Sequence, residues 1–233
     1  MKTYRYINIA IVCAATFFYG CSNSNNTTTT TTTAASYEIT ITNLTAAQPI
    51  APVAVVLHTN GYNAGVLGSA ASTGLEMLAE GGDNAQLLND ARANVAVLNA
   101  VSGAGVLMPG ASEVITTTVS DNAGLTLSIA GMLVNTNDGF AGLNGFSLTG
   151  LGVGESQVVP LAVYDAGTEA NVETAATLPG QNGVGFDAAR NDVNVISVHR
   201  GVVTTSDGLT TSALNQSHRF DNPALRIKIR RIS

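Results

Sequence analysis

The feature that most constrains this chain is a set of short apolar runs with a period of two, separated by clusters of Gly, Asn, Asp and Pro. Tyr37, Ile39 and Ile41 alternate with Glu38, Thr40 and Thr42. An extended segment with that pattern has one apolar and one polar face, which is the signature of a half-buried strand. Residues 53–58, 95–101, 114–119, 125–134, 158–164 and 193–199 read as further strands. Leu225, Ile227, Ile229 and Ile232 alternate with Arg226, Lys228, Arg230 and Arg231 in a last one over 224–232. Its cations read as an outward face that also discourages edge pairing; a site for an anionic glycan or phosphate is the alternative. Pro160 lacks a backbone N–H, so it predicts an edge position or a bulge. About eight short strands with such punctuation predict an all-β, antiparallel β-sandwich.

One segment breaks the pattern. Residues 73–76 and 83–86 both carry capping-box spacing. Leu75, Leu78 and Ala79, then Leu87, Leu88 and Ala91, recur at helical intervals. This predicts two short helices interrupted by Gly81 and Gly82, lying over one edge or end of the sandwich.

The N-terminus reads as an export signal. Lys2 and Arg5 precede an apolar stretch over 7–19, then Gly20 and Cys21. The stretch is shorter than the ~20 residues a membrane-spanning helix needs. Cys after a small residue suggests a bacterial lipobox, with Cys21 as the lipidated residue, although Phe18 and Tyr19 depart from the usual pattern. Ser22 rather than Asp favours the outer membrane. Cys13 would leave with the leader, so the folded part would hold no thiol. Residues 22–36 are Asn, Ser, Thr and Ala with seven consecutive Thr, a tether that cannot pack a core. The expected organisation is a signal over 1–20, a lipidated tether over 21–36, and one domain over 37–233.

Net charge is −6 and charged residues make up 11% of the chain, which argues against nucleic-acid binding. The candidate chemistry lies in two loops that follow strands. One is Asn135-Thr136-Asn137-Asp138-Gly139-Phe140 and the other Tyr164-Asp165-Ala166-Gly167-Thr168-Glu169. Calcium takes six to eight oxygens from carboxylates, carbonyls and water. Asp138, Asp165 and Glu169 can supply the charge and the turns the carbonyls, with Asn137 and Glu173 as nearby oxygens. The same residue types are ordinary turn formers, so both readings stand on spacing alone.

Residues 164–169 resemble the Tyr-Asp-Ala-Gly-Thr-Asp signature of the spondin N-terminal domain found in F-spondin and mindin. Residues 138–142 resemble that family's Asp-Trp-Phe-Val-Gly. Ala71-Ser72-Thr73-Gly74-Leu75 with Leu78-Ala79-Glu80 resembles its Ala-Ser-x-Gly…Leu-Ala-Glu segment, and the three occur in family order. The resemblance implies a C2-like sandwich with a helical insertion, calcium at Asp138, Asp165 and Glu169, and a role in adhesion. Glu169 stands where the family has Asp, and Gly139 where it has Trp. The family's cysteines and thrombospondin repeats are absent, so no particular protein partner carries over.

Hydrolase signals are missing. There is no Gly-x-Ser-x-Gly elbow, and His58, His199 and His218 lack metal-binding spacing. His58 and His199 read as strand-end residues bonded to their own turns. The expectation is therefore a calcium-binding, non-catalytic envelope lipoprotein held to the membrane by its lipid, with an extracellular protein or glycan as ligand. A metal-free structural component and a carboxylate-dependent hydrolase are the alternatives.

Overall fold

A computed structural model describes Met1 and residues 34–233. The expected leader, Cys21 and nearly all of the tether lie outside the described residues. The first strand already begins at Ala35, two residues before the expected start of the domain.

Among the described residues nine strands form: β1 (Ala35–Asn43), β2 (Ala54–His58), β3 (Val97–Ser102), β4 (Ser112–Val119), β5 (Thr126–Met132), β6 (Gly139–Ser147), β7 (Ser156–Asp165), β8 (Ser197–Val198) and β9 (Leu225–Arg231). Two helices, α1 (Thr73–Gly81) and α2 (Ala85–Ala93), join β2 to β3. The sheet order is β3-β2-β5-β6-β7-β9-β1-β4, with β8 beside the end of β7. Every pairing is antiparallel. The two edges meet where Asn99 Nδ2 donates to Thr117 Oγ1 at 2.8 Å and to the Thr118 carbonyl at 3.2 Å. The result is a nearly closed, flattened sandwich.

The alternation in the sequence explains the core. Ile39 and Ile41 of β1 and Ile227 and Ile229 of β9 point inward to meet Val55, Leu57, Leu127 and Ile129 from the facing strands. Each fully buried side chain of this size contributes roughly 1.5–3 kcal/mol. Arg226, Lys228 and Arg230 point outward as expected, but β9 is not an edge: β1 pairs with it on one side and β7 on the other.

β7 passes from one half of the sandwich to the other. Residues 156–161 pair with β9, whereas residues 162–165 pair with β6. Pro160 therefore lies where the β6 flank of the strand is open, a local edge inside a central strand. The strand expected over 193–199 shrinks to β8, because Asn194 adopts φ +56°, which breaks an extended run.

The helices lie over the edge of the sheet formed by β3 and extend across the outer face of β2, β5 and β6, where Leu75, Leu78, Leu87 and Leu88 pack with Ala54, Val56, Ala100, Ala130, Met132 and Phe140. Ser72, not Thr73, caps α1 by accepting the Leu75 N–H. Gly82 ends α1 at φ +69°, and its N–H returns to Leu78 O. That left-handed cap suits Gly and produces the break foreseen at Gly81 and Gly82. After β7 the chain runs in loops to β9, gathered around Leu178, Val202 and Leu214.

Candidate metal centre

The site forms where β5 turns into β6. Thr136 holds the turn: its Oγ1 donates to Leu133 O at 2.7 Å and accepts the Gly139 N–H at 2.9 Å. Asn137 and Asp138 ride on this turn with 0% exposure each. Gly139 then pairs with Asp165, which brings the turn against the 165–169 loop at the end of β7. A Cβ on Gly139 would stand 2.6 Å from Thr136 Oγ1 and 2.9 Å from His199 Cδ2. The turn and the histidine leave no room for a side chain where the family resemblance has Trp.

The two loops are joined through Asp138. Its Oδ2 accepts the Thr168 N–H at 2.8 Å, the Glu169 N–H at 3.2 Å and the Thr168 hydroxyl at 3.3 Å. Its carbonyl accepts the Ala166 N–H at 3.2 Å. Asp165 folds its own loop: Oδ1 accepts the Gly167 N–H at 2.8 Å and Oδ2 the Asn171 amide at 2.7 Å. Gly167 makes the turn at φ +71° with the Val195 backbone against it.

Electrostatics at this end of the sheet are uncompensated. Burial, then the charge of Asp165, pushes Asp138 up to about 7 against the pull of its amide donors. Burial also pushes Glu169 up to about 7, with the charges of Glu80, Asp138 and Asp187 adding to it. The Asn137 amide lies close enough to oppose that rise without reaching hydrogen-bond geometry. Glu80 and Glu173 are raised as well, chiefly by burial. His199 is lowered by burial, opposed by Asp165. Among the described residues the ion pairs are Arg190–Glu76 and Arg219–Asp207; neither pairs directly with these acids, and of them only Glu80 feels the Arg190 charge.

Several polar atoms here are buried without a partner: Asp138 Oδ1, Asn137 Nδ2, Glu173 Oε2 and His199 Nε2. Such atoms call for an explanation, an unplaced ion or water among them. Glu173 is the least expected. It holds φ +57°, a backbone strain of the kind that collects at functional sites. Its N–H donates to Asn137 Oδ1 at 3.2 Å, and its Oε1 accepts the Val203 N–H at 3.1 Å. It lines a cavity of about 350 Å³ with Asp165, Asn171, Asp192 and Arg200.

Asp138 is thus coupled to both Asp165 and Glu169. Among the described residues, however, no three Asp, Glu, His or Cys side chains converge so as to hold a metal by themselves. A cation here needs neutral oxygens too, from Asn137, Thr168 or backbone carbonyls, which suits calcium better than a metal bound by nitrogen or sulfur. The sequence pointed to Asn137 and Glu173 by proximity alone. It gave no sign of Thr168 as a bridging donor or of His199 beside Gly139.

His218 Nδ1 accepts the Asn215 N–H at 3.1 Å within its own turn. His58 bonds its own turn through Nδ1 to Thr59 O at 2.7 Å, as expected. Its Nε2 also lies 2.8 Å from Ser128 Oγ. Ser128 is completely buried and its hydroxyl also meets Asn144 and the Gly145 N–H, so this pair fastens β2 to β5 and β6 and presents no nucleophile.

The structure is a nearly closed all-β sandwich with a helical cover and two acidic loops joined at one sheet end. The spondin N-terminal domain model, Spondin_N, matches residues 24–181, and the chain belongs to that family. The match contains both acidic loops and Glu173. No curated protein matches the chain.

Proposed function

We propose that this protein is a calcium-binding, non-catalytic module held to a bacterial cell envelope, with adhesion or ligand binding as its role. The observation that carries the calcium reading is the Asp138 carboxylate. One oxygen is anchored by the 168–169 amides, and the other is buried and unpartnered amid other raised acids. Asp165 and Glu169 supply further charge, and a divalent cation would offset the repulsion. The anchor rests on the sequence around Cys21, with the outer membrane as its place.

One observation favours a second, metal-free reading. Among the described residues no three acidic or histidine side chains converge, and a protonated Asp138 could settle the site without an ion. The module would then be a structural envelope component.

Thermal unfolding of the purified protein in calcium and in EGTA separates the two. A calcium-dependent rise in Tm, absent from Asp138→Ala and Asp165→Ala, supports the ion site. Identical melting in both buffers leaves the metal-free module. Mass spectrometry of protein from bacterial membranes tests the anchor, since Cys21→Ala should lose the acyl mass.

A further inference from the structure

Among the described residues, the helices cover one broad face of the sandwich and leave another bare. On the bare side, Arg226, Lys228 and Arg230 of β9 project outward and are exposed. Alternate residues on a strand lie roughly 7 Å apart, so the three cations form a straight row of about 13–14 Å. They are three of only ten Lys and Arg in a chain of net charge −6. Among the described residues none of the three makes a salt bridge or a side-chain hydrogen bond.

The pairing register shows what flanks the row. On one side Thr42, Thr40 and Glu38 of β1 stand opposite Arg226, Lys228 and Arg230. Beyond them lie Ser112, Val114 and Thr116 of β4. On the other side Pro160, Val158 and Ser156 of β7 take the same positions. The face is flat, rich in hydroxyls, and carries Glu38 as its carboxylate. It has no aromatic ring on which a nucleic-acid base could stack. Its exposed apolar residues, Val114 and Val158, sit on the strands and not on a projecting loop that could enter a bilayer.

We propose that this face binds an extended anionic polysaccharide. Sulfate or carboxylate groups along the polymer would sit against the row of cations, and sugar hydroxyls would hydrogen-bond to the flanking Thr and Ser. Charge complementarity carries the assignment: a row of unpaired cations in an otherwise acidic protein selects a linear polyanion. The acidic loops lie at the Asp165 end of β7 and the row at its Ser156 end, so the two functions are separable.

The test uses the full chain in EGTA, so that calcium plays no part, with immobilised heparin as the sulfated polysaccharide. A plain sulfonate resin and a neutral dextran matrix serve as comparisons. Retention on heparin at roughly 0.15 M salt, with elution at higher salt than from the sulfonate resin, is the expected result. Arg226→Gln/Lys228→Gln/Arg230→Gln should flow through with an unchanged melting midpoint. Lys228→Gln alone should elute at intermediate salt, which keeps the test valid if the triple variant folds poorly. Arg219→Gln should behave as the wild type. Flow-through of the wild type, equal elution from heparin and the sulfonate resin, undiminished retention of the variants, or capture by vesicles of anionic phospholipid without heparin binding would each overturn the proposal.

Discussion

Asp138 Oδ2 and the Thr168 amide nitrogen lie 2.8 Å apart, and this bond ties together loops separated by thirty residues of sequence. The other oxygen, Oδ1, is buried without a partner. The two halves of the carboxylate therefore do different work, and two substitutions separate them. Asp138→Asn keeps an acceptor for the Thr168 amide and removes the buried charge. In EGTA at pH 8 it should melt at or above the wild type. Asp138→Ala strands the amides of Thr168 and Glu169 and should lose about 1–3 kcal/mol. Neither should gain stability from calcium. Calorimetry in calcium and EGTA decides, and an alanine variant that keeps the calcium response removes Asp138 from the site.

The site should also make stability depend on pH. Asp138 and Glu169 are pushed up to about 7 in the folded protein, from ordinary values of 3.8 and 4.5. An acid raised on folding binds more protons folded than unfolded between those limits. Metal-free stability is therefore greatest below about pH 4 for these two groups and falls as pH rises toward about 7. A tenfold change in proton affinity is worth ~1.4 kcal/mol, so the fully buried Asp138 accounts for up to about 4 kcal/mol. Glu169 is only partly buried and adds less, because solvent screens it. In EGTA the urea midpoint should drop between pH 5 and pH 8, and saturating calcium should flatten the decline. A midpoint independent of pH in EGTA would show that both groups ionise freely.

How much of this was legible in the sequence depends on what each residue had to satisfy. β1 and β9 were plain because each has one wet face and one dry face. β6 was not, because it looks like a loop: Gly139, Gly142 and Gly145 interrupt its apolar residues. Those glycines answer to tertiary packing. A Cβ on Gly142 would press within 3.1 Å of the Phe140 ring and 3.3 Å of the Tyr164 ring. Residues 193–199 failed in the opposite way, since their alternation is correct but Asn194 turns at φ +56° to meet the carbonyl of Gly167. At the site, the paired acids of the two loops were visible as a motif. The role of Glu173 was not, because its neighbours Asn137, Val203 and Ala213 come from three distant segments.

Gly167 gives a sharper structural test of the loop. Its φ is +71°, and an added Cβ would lie 2.5 Å from Val195 O and 2.6 Å from Val195 N. Both are backbone atoms, so neither can rotate away. Gly167→Ala should cost about 2 kcal/mol or more, combining left-handed strain with overpacking. Gly150→Ala has a similar φ of +84° but open space around it, and should cost only about 1–2 kcal/mol. Urea denaturation of the two variants compares strain with and without the clash. Equal losses would mean that Val195 yields and the 165–169 loop is not tightly held.

Arg190 fixes the far side of the same loop. Its Nε donates to Glu76 Oε1 at 2.8 Å, and its Nη2 to Glu76 Oε2 and to Ala71 O. The Glu76 side chain is only 4% exposed and that of Arg190 23%. Glu80, one turn further along α1, accepts the Asp187 N–H at 2.9 Å. Two carboxylates on one helix thus hold the segment that carries Asn194 and Val195 against Gly167. Arg190→Ala leaves Glu76 as a buried, unpaired charge, which costs about 3–5 kcal/mol for a fully buried pair. Partial exposure of the arginine reduces this to roughly 2–4 kcal/mol. Adding Glu76→Gln should restore part of the loss, because the stranded charge is gone while the lost bonds from Arg190 to Ala71 O and, through Nη1, to Asn194 Oδ1 are not. A broad-specificity protease should cut Arg190→Ala first within residues 183–196 and cut the double variant there more slowly. Equal cleavage of wild type and Arg190→Ala would show that the clamp does not hold this segment.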